Sequence, residues 1–360
     1  MLVTKNLNIE WNLIEEALKE ILQHQQYVQG PEVEQLEHLL ASWMQTRFAI
    51  GCNSGFGANL LSLFALDIGV GSRVAVPAFA PFEFVGMIMR SGATPILVDV
   101  APNDFHIAPS ALVNQLNDRI DAIAVYHLFG GAADMNAIVK AAGNIPIIEV
   151  LSYSFGTPIG ARYAGTFGAL STSCLREDTA IGAYGDAAMI WTNRADLAEK
   201  IRRIRSDPNH SRTGIHEGIV SGCFHQDTIH AVMLLKKFDE WKKTLKERGL
   251  QAGSLAKAIV ERDLHEITVP GFYHHHATHF VVLAERRDEI IFHLRAHGIA
   301  AEAWWPVPIH LQTGFQKLGY ETGNFPEAER VAAMSLCLPL PRTHAEANQL
   351  ADQLMAFYRK

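Results

Sequence analysis

Three titratable residues, His127, Glu149 and Asp186, lie where the sequence predicts strand ends or tight turns. Their side chains could line a pocket, because ligands of an open α/β sheet gather outside the carboxyl ends of its strands. Titratable groups in such places are only probabilistic markers of function. A structural role is the interpretation that we favour for each residue, and a place in the pocket is the alternative.

Histidines form two groups that suggest metal ligands. His274, His275 and His276 are consecutive and His279 follows, but adjacent side chains on a strand point to opposite faces. The second group is loosely spaced and comprises His210, His216, Cys223, His225 and His230. The four cysteines are scattered without a CxxC pair, which argues against a disulfide framework and a structural zinc site. We predict no metal site.

Composition limits the class of protein and its partners. The 360 residues are 48% hydrophobic and 19% charged, which is ordinary for a globular chain with one large and one smaller domain. A net charge of -7 gives no general attraction to nucleic acid or anionic lipid, so we expect neither as a partner. Residues 1–11 lack the apolar core of a signal peptide and no apolar run reaches membrane-spanning length, so we expect a cytoplasmic protein.

The elements that must position these residues follow an alternating pattern. Two amphipathic helices, one from Trp11 to Leu22 and one after Pro31, predict an N-terminal helical arm. Short β-rich runs then alternate with helical stretches, which predicts a mostly parallel, doubly wound α/β sheet with helices on both faces. The predicted strands are Phe48 to Gly51, Arg73 to Val76, Pro95 to Val98, Ala122 to Tyr126, Ile145 to Glu149, Ala169 to Cys174 and Ala187 to Thr192.

A second α/β unit is predicted toward the C-terminus. Residues 206–222 have no clear periodicity and predict a long surface or intersubunit loop. Two helices, Ile229 to Leu245 and Ala252 to Val260, precede a strand from His276 to Leu283 and a strand from Ile299 to Trp304. The predicted domains are 1–245, the helical arm with the large α/β domain, and 246–360, the small α/β domain. Trp304 and Trp305 predict an interdomain or interface contact, with ligand stacking as the alternative.

Several segments in one order resemble the sugar aminotransferases of the DegT/DnrJ/StrS type, which use pyridoxal phosphate. The matching segments are VQGPEV at 28–33, VPAF at 76–79, GATPILVDV at 92–100, YHLFG at 126–130, PIHLQ at 308–312, LGY at 318–320 and FPEAER at 325–330. The resemblance implies a fold-type-I dimer with the cofactor at the domain and subunit interface. It also implies amination of a keto sugar that is attached to a nucleotide.

The residues that would hold this cofactor differ from the family pattern. The segment GAYGD at 182–186 sets the register, which puts Thr179 at the position of the family's lysine, and no lysine lies between Lys140 and Lys200. A hydroxyl cannot form the imine that the lysine forms. Val150 replaces the aspartate that holds the pyridine nitrogen protonated, so a buried pyridinium would lack its counterion.

Further substitutions affect the ring and the phosphate. Tyr153 replaces a glutamine near the ring hydroxyl, Cys174 replaces a serine, and the phosphate-binding SGT reads Ser54-Gly55-Phe56. Backbone amides at that helix start could still attract an anion. The family's TFVAT reads APFEF at 80–84, and its partner-subunit NSR segment corresponds to residues 220–222. We therefore predict no bound cofactor, with pyridoxal phosphate as the alternative.

The correspondence defines a candidate pocket. Its members are Ser54, Gly55, Phe56, Phe79, His127, Glu149, Val150, Tyr153, Cys174, Thr179 and Asp186. Phe56 and Tyr153 could form a new aromatic pocket for a ring or a nucleotide base. Alternatively they fill the volume that the cofactor has left, because empty volume costs stability.

Two functional hypotheses follow. The first is a family member that neither binds pyridoxal phosphate nor transaminates, and that is a partner or regulatory protein or a cofactor-free sugar-nucleotide enzyme in polysaccharide or amino-sugar metabolism. The second is a pyridoxal-phosphate-dependent aminotransferase or dehydratase with an unusual catalytic base. We expect a homodimer, or a heteromer with an active homologue, and a nucleotide sugar as a possible ligand.

Overall fold

The computed structural model describes residues 11–116, 119–176, 179, 181–205, 222–271 and 278–359. The described helices are α1 Trp11–His24, α2 Pro31–Met44, α3 Gly55–Ala65, α4 Phe82–Arg90, α5 Pro109–Gln115, α6 Met135–Ala142, α7 Ala195–Arg205, α8 Thr228–Val260, α9 Arg287–Ala296, α10 Pro326–Met334 and α11 His344–Tyr358. Two short 3-10 helices, Ile309–Leu311 and Thr313–Leu318, lie between α9 and α10.

The described strands form three sheets. They are β1 Phe48–Cys52, β2 Arg73–Pro77, β3 Thr94–Val98, β4 Ala122–Tyr126, β5 Ile147–Val150, β6 Pro158–Ile159, β7 Arg162–Tyr163, β8 Leu170–Cys174, β9 Ala188–Thr192, β10 Ile267–Thr268, β11 Phe280–Ala284, β12 Glu302–Ala303 and β13 Ser335–Leu338. A seven-stranded sheet has the order β1-β9-β8-β5-β4-β2-β3, a four-stranded sheet has the order β10-β11-β13-β12, and β6 pairs with β7.

The large sheet is mostly parallel, as the alternating sequence pattern predicted. Strands β3, β2, β4, β5 and β8 pair in parallel, whereas β9 is antiparallel to both β1 and β8. The strand β4 is buried along its whole length, which is typical of a sheet with helices on both faces. Because β9 reverses between β1 and β8, those two strands end at the same edge as the parallel ones.

Local sequence accounts for where several helices begin. Pro31 opens α2 at a position where its missing N–H is not needed. Ser54, Asp134 and Thr343 cap α3, α6 and α11, and each side chain accepts a hydrogen bond from a backbone N–H of the first turn. The start of α3 matters most, because it lies beside the site described below.

The helix α8 joins the two cores. Its first half packs into the large-domain core, where Phe238, Trp241 and Leu245 are buried. Its second half packs with the four-stranded sheet, where Ala252, Leu255 and Ile259 are buried. The domain boundary predicted between residues 245 and 246 therefore falls inside one continuous helix, where the packing partner changes. Whether 1–245 and 246–360 are separate folding units stays a prediction.

Some elements differ from the sequence-based expectations. Two helices were expected at 229–245 and 252–260, but α8 runs unbroken from Thr228 to Val260. The one glycine between them, Gly249, lowers helix propensity by only about 1 kcal/mol, which the burial of the surrounding residues offsets. The strand expected at Ile299 to Trp304 is reduced to Glu302–Ala303, and β13 was not predicted. The expected loop at 206–221 and the start of the strand at 276 lie outside the described residues.

The paired tryptophans connect the small domain to the large one within the chain. Trp304 stacks on Phe129 with ring centroids 5.6 Å apart, and Trp305 lies 5.5 Å from Phe79. Both tryptophans thus contact rings of the segment 1–245, and whether this is a contact between two domains stays a prediction. Among the helices that the structure describes, none combines the length and the apolar character that crossing a bilayer requires.

Candidate functional site

A cavity of about 150 Å³ lies at the carboxyl edge of the large sheet. Residues that follow β1, β2, β4 and β5, together with the end of β8, contribute to its lining. This is the edge at which the topology of an open α/β sheet places ligands. The cavity is lined by Ser54, Gly55, Phe56, Asn59, Pro81, Glu83, Tyr126, His127, Val150, Ser152, Tyr153, Cys174, Arg176, Thr179 and Asp186.

Nine of the eleven residues expected in the pocket line this one cavity. They come from segments far apart in sequence and comprise Ser54, Gly55, Phe56, His127, Val150, Tyr153, Cys174, Thr179 and Asp186. Thr179 and Val150, which were assigned to the lysine and aspartate positions of the family, are thus brought to the same place. This convergence supports the register on which both assignments rest.

Phe79 and Glu149 were expected in the pocket but do not line it. Phe79 is buried in the core, where its ring packs against Phe105 at a centroid distance of 5.9 Å. Glu149 points away from the cavity into a cluster of backbone amides. Phe79 therefore lies outside this cavity, contrary to expectation. Glu149 has the structural role that was favoured for it, since adjacent side chains of a strand point to opposite faces and Val150 takes the cavity side.

Glu149 is a fully buried carboxylate that accepts four hydrogen bonds. The backbone amides of Gly165, Phe167 and Gly168 donate to it at 2.7, 2.7 and 2.6 Å, and Nε2 of His127 donates at 3.0 Å. So many donors compensate the cost of burying the charge. Glu149 therefore holds the loop 165–168 against β5, which is a structural role.

His127 borders the cavity, but its ring is committed to this network. Its Nδ1 accepts a hydrogen bond from the amide of Ala133, so Nε2 carries the proton that is donated to Glu149. Burial lowers the pKa of His127, and the hydrogen bond and charge of Glu149 oppose that effect only in part. A neutral imidazole with both nitrogens bonded is a scaffold element and not a free proton carrier.

The hydroxyl of Thr179 is already engaged in a hydrogen bond within the chain. Its side chain is 4% exposed, and Oγ1 donates to the carbonyl of Arg176 at 2.7 Å. Its amide donates to the same carbonyl at 3.1 Å. The residue thus closes a local turn at the position that the sequence motifs predict for the family's reactive amine.

The start of α3 packs tightly against the end of β8. A Cβ atom on Gly55 would lie 2.9 Å from Cβ of Cys174, so only glycine allows this approach. Ser54 Oγ accepts from the amide of Gly57 at 3.1 Å and donates to Asn53 Oδ1 at 3.2 Å. The Ser54 hydroxyl is therefore used as a helix cap and a turn contact.

The two aromatic substitutions behave differently. Tyr153 is 8% exposed and packs edge-on against Trp304 and Trp305, with centroids 5.4 and 5.8 Å away. Phe56 is 45% exposed at the mouth of the cavity. Tyr153 thus fills volume inside the protein, whereas the ring of Phe56 is exposed where a ligand would enter the cavity.

Six residues of the lining were not singled out from the sequence as pocket members. They are Asn59, Pro81, Glu83, Tyr126, Ser152 and Arg176. Asn59 carried a usable signal, because it lies one helical turn after Gly55 in α3. Spacing of this kind places side chains on the same face as an already suspected residue.

The described lining does not fit pyridoxal phosphate held in the way that the family holds it. No lysine is among the described residues that line the cavity, and the Thr179 hydroxyl is already bonded. Val150 offers an apolar side chain where a carboxylate would have to face the pyridine nitrogen. The described lining therefore lacks the amine, and the position predicted for the pyridine counterion holds an apolar side chain.

One lysine lies behind the cavity wall. Lys237 of α8 is 1% exposed, donates from Nζ to the carbonyl of Gly182, and sits 3.9 Å from the centroid of the Tyr184 ring. Burial lowers its pKa to about 8. Lys237 is not part of the described lining. It contacts Gly182 and Tyr184, which lie in the chain between two lining residues, Thr179 and Asp186.

In the part of the chain that the structure describes, no three histidine, cysteine, aspartate or glutamate side chains are grouped as metal ligands. His274, His275, His276, His210 and His216 lie outside the described residues. His279 is described, and its ring packs on Trp304 with centroids 4.1 Å apart. The prediction that there is no metal site remains a prediction.

Comparisons with known proteins agree with this fold over almost the whole chain. The model of the DegT/DnrJ/EryC1/StrS aminotransferase family matches residues 9–354. The pleiotropic regulatory protein of Geobacillus stearothermophilus is 31% identical over 350 residues, which cover 95% of this chain and 94% of that protein. The UDP-2-acetamido-2-deoxy-3-oxo-D-glucuronate aminotransferase of Pseudomonas aeruginosa is 26% identical, with 91% and 90% covered.

Comparison with a solved structure of a similar protein supports the same fold. The crystal structure of S. venezuelae DesV in complex with a ketimine intermediate superposes with a TM-score of 0.87 at 26% identity. The match covers 97% of this chain and 95% of DesV. The expected fold-type-I aminotransferase architecture is thereby confirmed.

Proposed function

Because this chain belongs to the DegT/DnrJ/EryC1/StrS aminotransferase family, we propose that it is a member that neither binds pyridoxal phosphate nor transaminates. The observation that carries the proposal is Thr179, whose bonded hydroxyl stands in the cavity at the position of the family's lysine. Val150 adds to it, since an uncompensated pyridinium beside an apolar side chain costs several kcal/mol.

The proposed role is that of a partner or regulatory protein, or of a cofactor-free enzyme acting on a nucleotide sugar, in polysaccharide or amino-sugar metabolism. Supporting this role are the preserved scaffold and the remaining cavity, which still opens at the carboxyl edge of the sheet. A homodimer, or a heteromer with an active homologue, is part of the proposal.

The names of relatives favour a second candidate function, a pyridoxal-phosphate-dependent sugar aminotransferase or dehydratase with an unusual base. The P. aeruginosa relative is an aminotransferase, and DesV was crystallised with a ketimine intermediate. This candidate requires an amine from elsewhere in the assembly. Within the described residues, Lys237 is the buried amine that contacts the cavity wall, and its lowered pKa of about 8 makes it more nucleophilic than an ordinary lysine.

Absorbance spectroscopy with borohydride reduction separates the two candidates. The purified protein is incubated with pyridoxal phosphate, reduced and digested, and modified lysines are mapped by mass spectrometry. We expect no stoichiometric visible chromophore and only scattered surface modification. A stoichiometric adduct on a single lysine, with Lys237 as the first site to inspect, would establish the second candidate and refute the first.

Two measurements then separate a partner protein from a cofactor-free enzyme. Pull-down from the native host tests for a bound homologue, and a thermal-shift screen tests nucleotide sugars, because a ligand that binds only the folded state raises its stability. Stabilisation by a nucleotide sugar without a protein partner would count against the partner role.

A further inference from the structure

A second cavity, with a volume of about 590 Å³, lies at the amino end of β1. Its walls come from α2, from Phe48 and Ala49 at the start of β1, and from the last turn of α7. The first cavity begins after the carboxyl end of the same strand, at Ser54, so the two cavities lie at opposite ends of β1. Sites for small organic molecules have volumes of about 300 to 1,000 Å³, so this cavity has room for one.

Arg205 lines the second cavity and is buried, with 8% of its surface exposed. Its Nη1 donates to Oε1 of Glu37 and to the carbonyl of Gly51, both at 2.7 Å. Neither its Nε nor its Nη2 has a hydrogen-bond partner among the described residues. A buried donor without an acceptor costs free energy, so this guanidinium has hydrogen bonds left to give to a ligand.

Two glutamines place further unpaired polar atoms at the same wall. Gln226 is fully buried, and in the described part of the chain neither its amide nitrogen nor its amide oxygen has a partner. Its side chain occupies the place where a Cβ on Gly51 would be, beside the carbonyl that Arg205 contacts. Nε2 of Gln29, a residue of the lining, is enclosed and unpaired as well. Buried polar groups are nearly always paired, so this wall is built to be completed by a polar molecule.

Positive charge exceeds negative charge in this lining. Arg47, Arg202 and Arg205 face Glu34 and Glu37. Glu37 is engaged by Arg205 at 2.7 Å, whereas Arg202 approaches it only to 4.0 Å. The side chain of Glu34 is 77% exposed, so solvent screens its charge. Within the residues that the structure describes, Arg47 forms no ion pair. An anion with two charges would balance the excess.

The ring of Phe48 positions two of these arginines. The guanidinium carbons of Arg47 and Arg202 lie 5.3 and 5.7 Å from its centroid, which is the range of cation–π contacts. Both side chains are therefore held at the cavity. A planar guanidinium can bind two phosphate oxygens at once, and a phosphate monoester carries a charge of about -1.5 to -2 at neutral pH. Phosphate thus matches both the donors and the charge of this cavity.

We propose that the cavity at the amino end of β1 binds the phosphate group of a small molecule, with Arg47, Arg202 and Arg205 contacting its oxygens. This binding site goes beyond the proposed function, which concerns the first cavity, and it does not depend on whether that cavity takes up pyridoxal phosphate. Free phosphate and an organic phosphate ester share this chemistry. The volume of the cavity favours the ester.

Three probes test the site and separate the two sources of phosphate. Binding of D-glucose 6-phosphate, inorganic phosphate and D-glucose to the full chain is measured by calorimetry at one ionic strength, above about pH 7 so that the phosphates are mostly dianions. We expect D-glucose 6-phosphate to bind at least about tenfold more tightly than D-glucose. Inorganic phosphate that binds as tightly as the sugar phosphate would assign the site to free phosphate, and weaker binding would assign it to an ester.

Variants of the arginines locate the bound phosphate. Arg47→Gln and Arg202→Gln should each weaken binding of D-glucose 6-phosphate by at least about threefold, and together by about tenfold. Arg47 is exposed and forms no ion pair with the described residues, so its replacement tests the site without endangering the fold. Arg203→Gln is the matched control, because it removes one exposed charge from the same helix outside the lining, and it should change affinity by less than about twofold.

Phe56→Ala, at the mouth of the first cavity, should leave phosphate binding unchanged. Weaker binding in that variant would place the phosphate in the first cavity and overturn the inference. So would the absence of binding of either phosphate compound up to about 10 mM, unchanged affinity in the double arginine variant, or an equal loss in Arg203→Gln. A failure of the proposed function is a different result, namely a reducible cofactor adduct on one lysine, which is measured without these probes.

Discussion

His127 and Glu149 form a buried pair in which Nε2 of the imidazole donates to Oε2 of the carboxylate at 3.0 Å. Three backbone amides donate the other hydrogen bonds that the carboxylate accepts, and the amide of Ala133 donates to Nδ1 of the imidazole. The network ties the end of β4 to β5 and to the loop 165–168. His127 borders the cavity, but the network contributes no polar group that is free to bind a ligand there.

Replacing the carboxylate should destabilise the fold. Glu149→Gln puts an NH₂ group against backbone N–H donors and leaves at least one of them without an acceptor. We expect a loss of at least about 2 kcal/mol in the free energy of unfolding, measured by urea denaturation. The exposed substitution Glu247→Gln should change stability by no more than about 0.5 kcal/mol. Equal effects of the two changes would show that the network does not stabilise the protein.

The lowered pKa of His127 predicts a dependence of stability on pH. Between the unfolded pKa of about 6.5 and the lower folded pKa, the unfolded chain binds a proton that the folded chain does not. The free energy of unfolding should therefore fall as the pH drops below about 6.5. A His127→Gln variant should show a shallower fall in the same titration, and identical slopes would refute the assignment.

Tyr153 and Phe56 provide a matched pair for the question of whether the cavity has been filled. Tyr153→Ala should cost about 3 kcal/mol or more, because it opens space beside Trp304 and Trp305. Phe56→Ala, at an exposed ring, should cost about 1 kcal/mol or less. Thermal and urea unfolding of both variants give the comparison. A larger cost for Phe56→Ala would reverse the roles assigned to the two rings.

The lowered pKa of Lys237 predicts a rise of stability with pH of the same sign, but in the alkaline range. Its folded pKa of about 8 lies below the unfolded value of about 10.4, so in this window only the unfolded chain keeps the proton. Stability should rise with pH across the window by about 1 kcal/mol per pH unit relative to Lys237→Met. Urea denaturation at several pH values checks the slope. Parallel curves for both proteins would mean that the amine is not desolvated in the folded state.

Restoring two residues should restore cofactor binding if the register is correct. The double variant Thr179→Lys with Val150→Asp supplies the amine and the counterion in the same cavity. We expect a visible chromophore with pyridoxal phosphate that borohydride removes, whereas Val150→Asp alone should stay colourless. If the double variant is colourless too, adding Phe56→Thr tests whether the ring blocks the phosphate. A colourless triple variant would contradict the register.

The order of elements and the parallel sheet were predictable because local periodicity determines them. Strand β4 was predicted with the bounds that the structure has. The convergence of Ser54, Val150, Cys174 and Thr179 was predictable as well, since each lies at or after the carboxyl end of a strand in one sheet. The correspondence of short motifs set the register between them.

Other features depend on contacts between residues that are distant in the chain, and no local pattern encodes those contacts. Phe79 packs into the core because Phe105 and Trp305 are there to receive it. Glu149 turns inward because three amides of a later loop meet it. The helix α8 continues through Gly249 because the two cores bury its two halves.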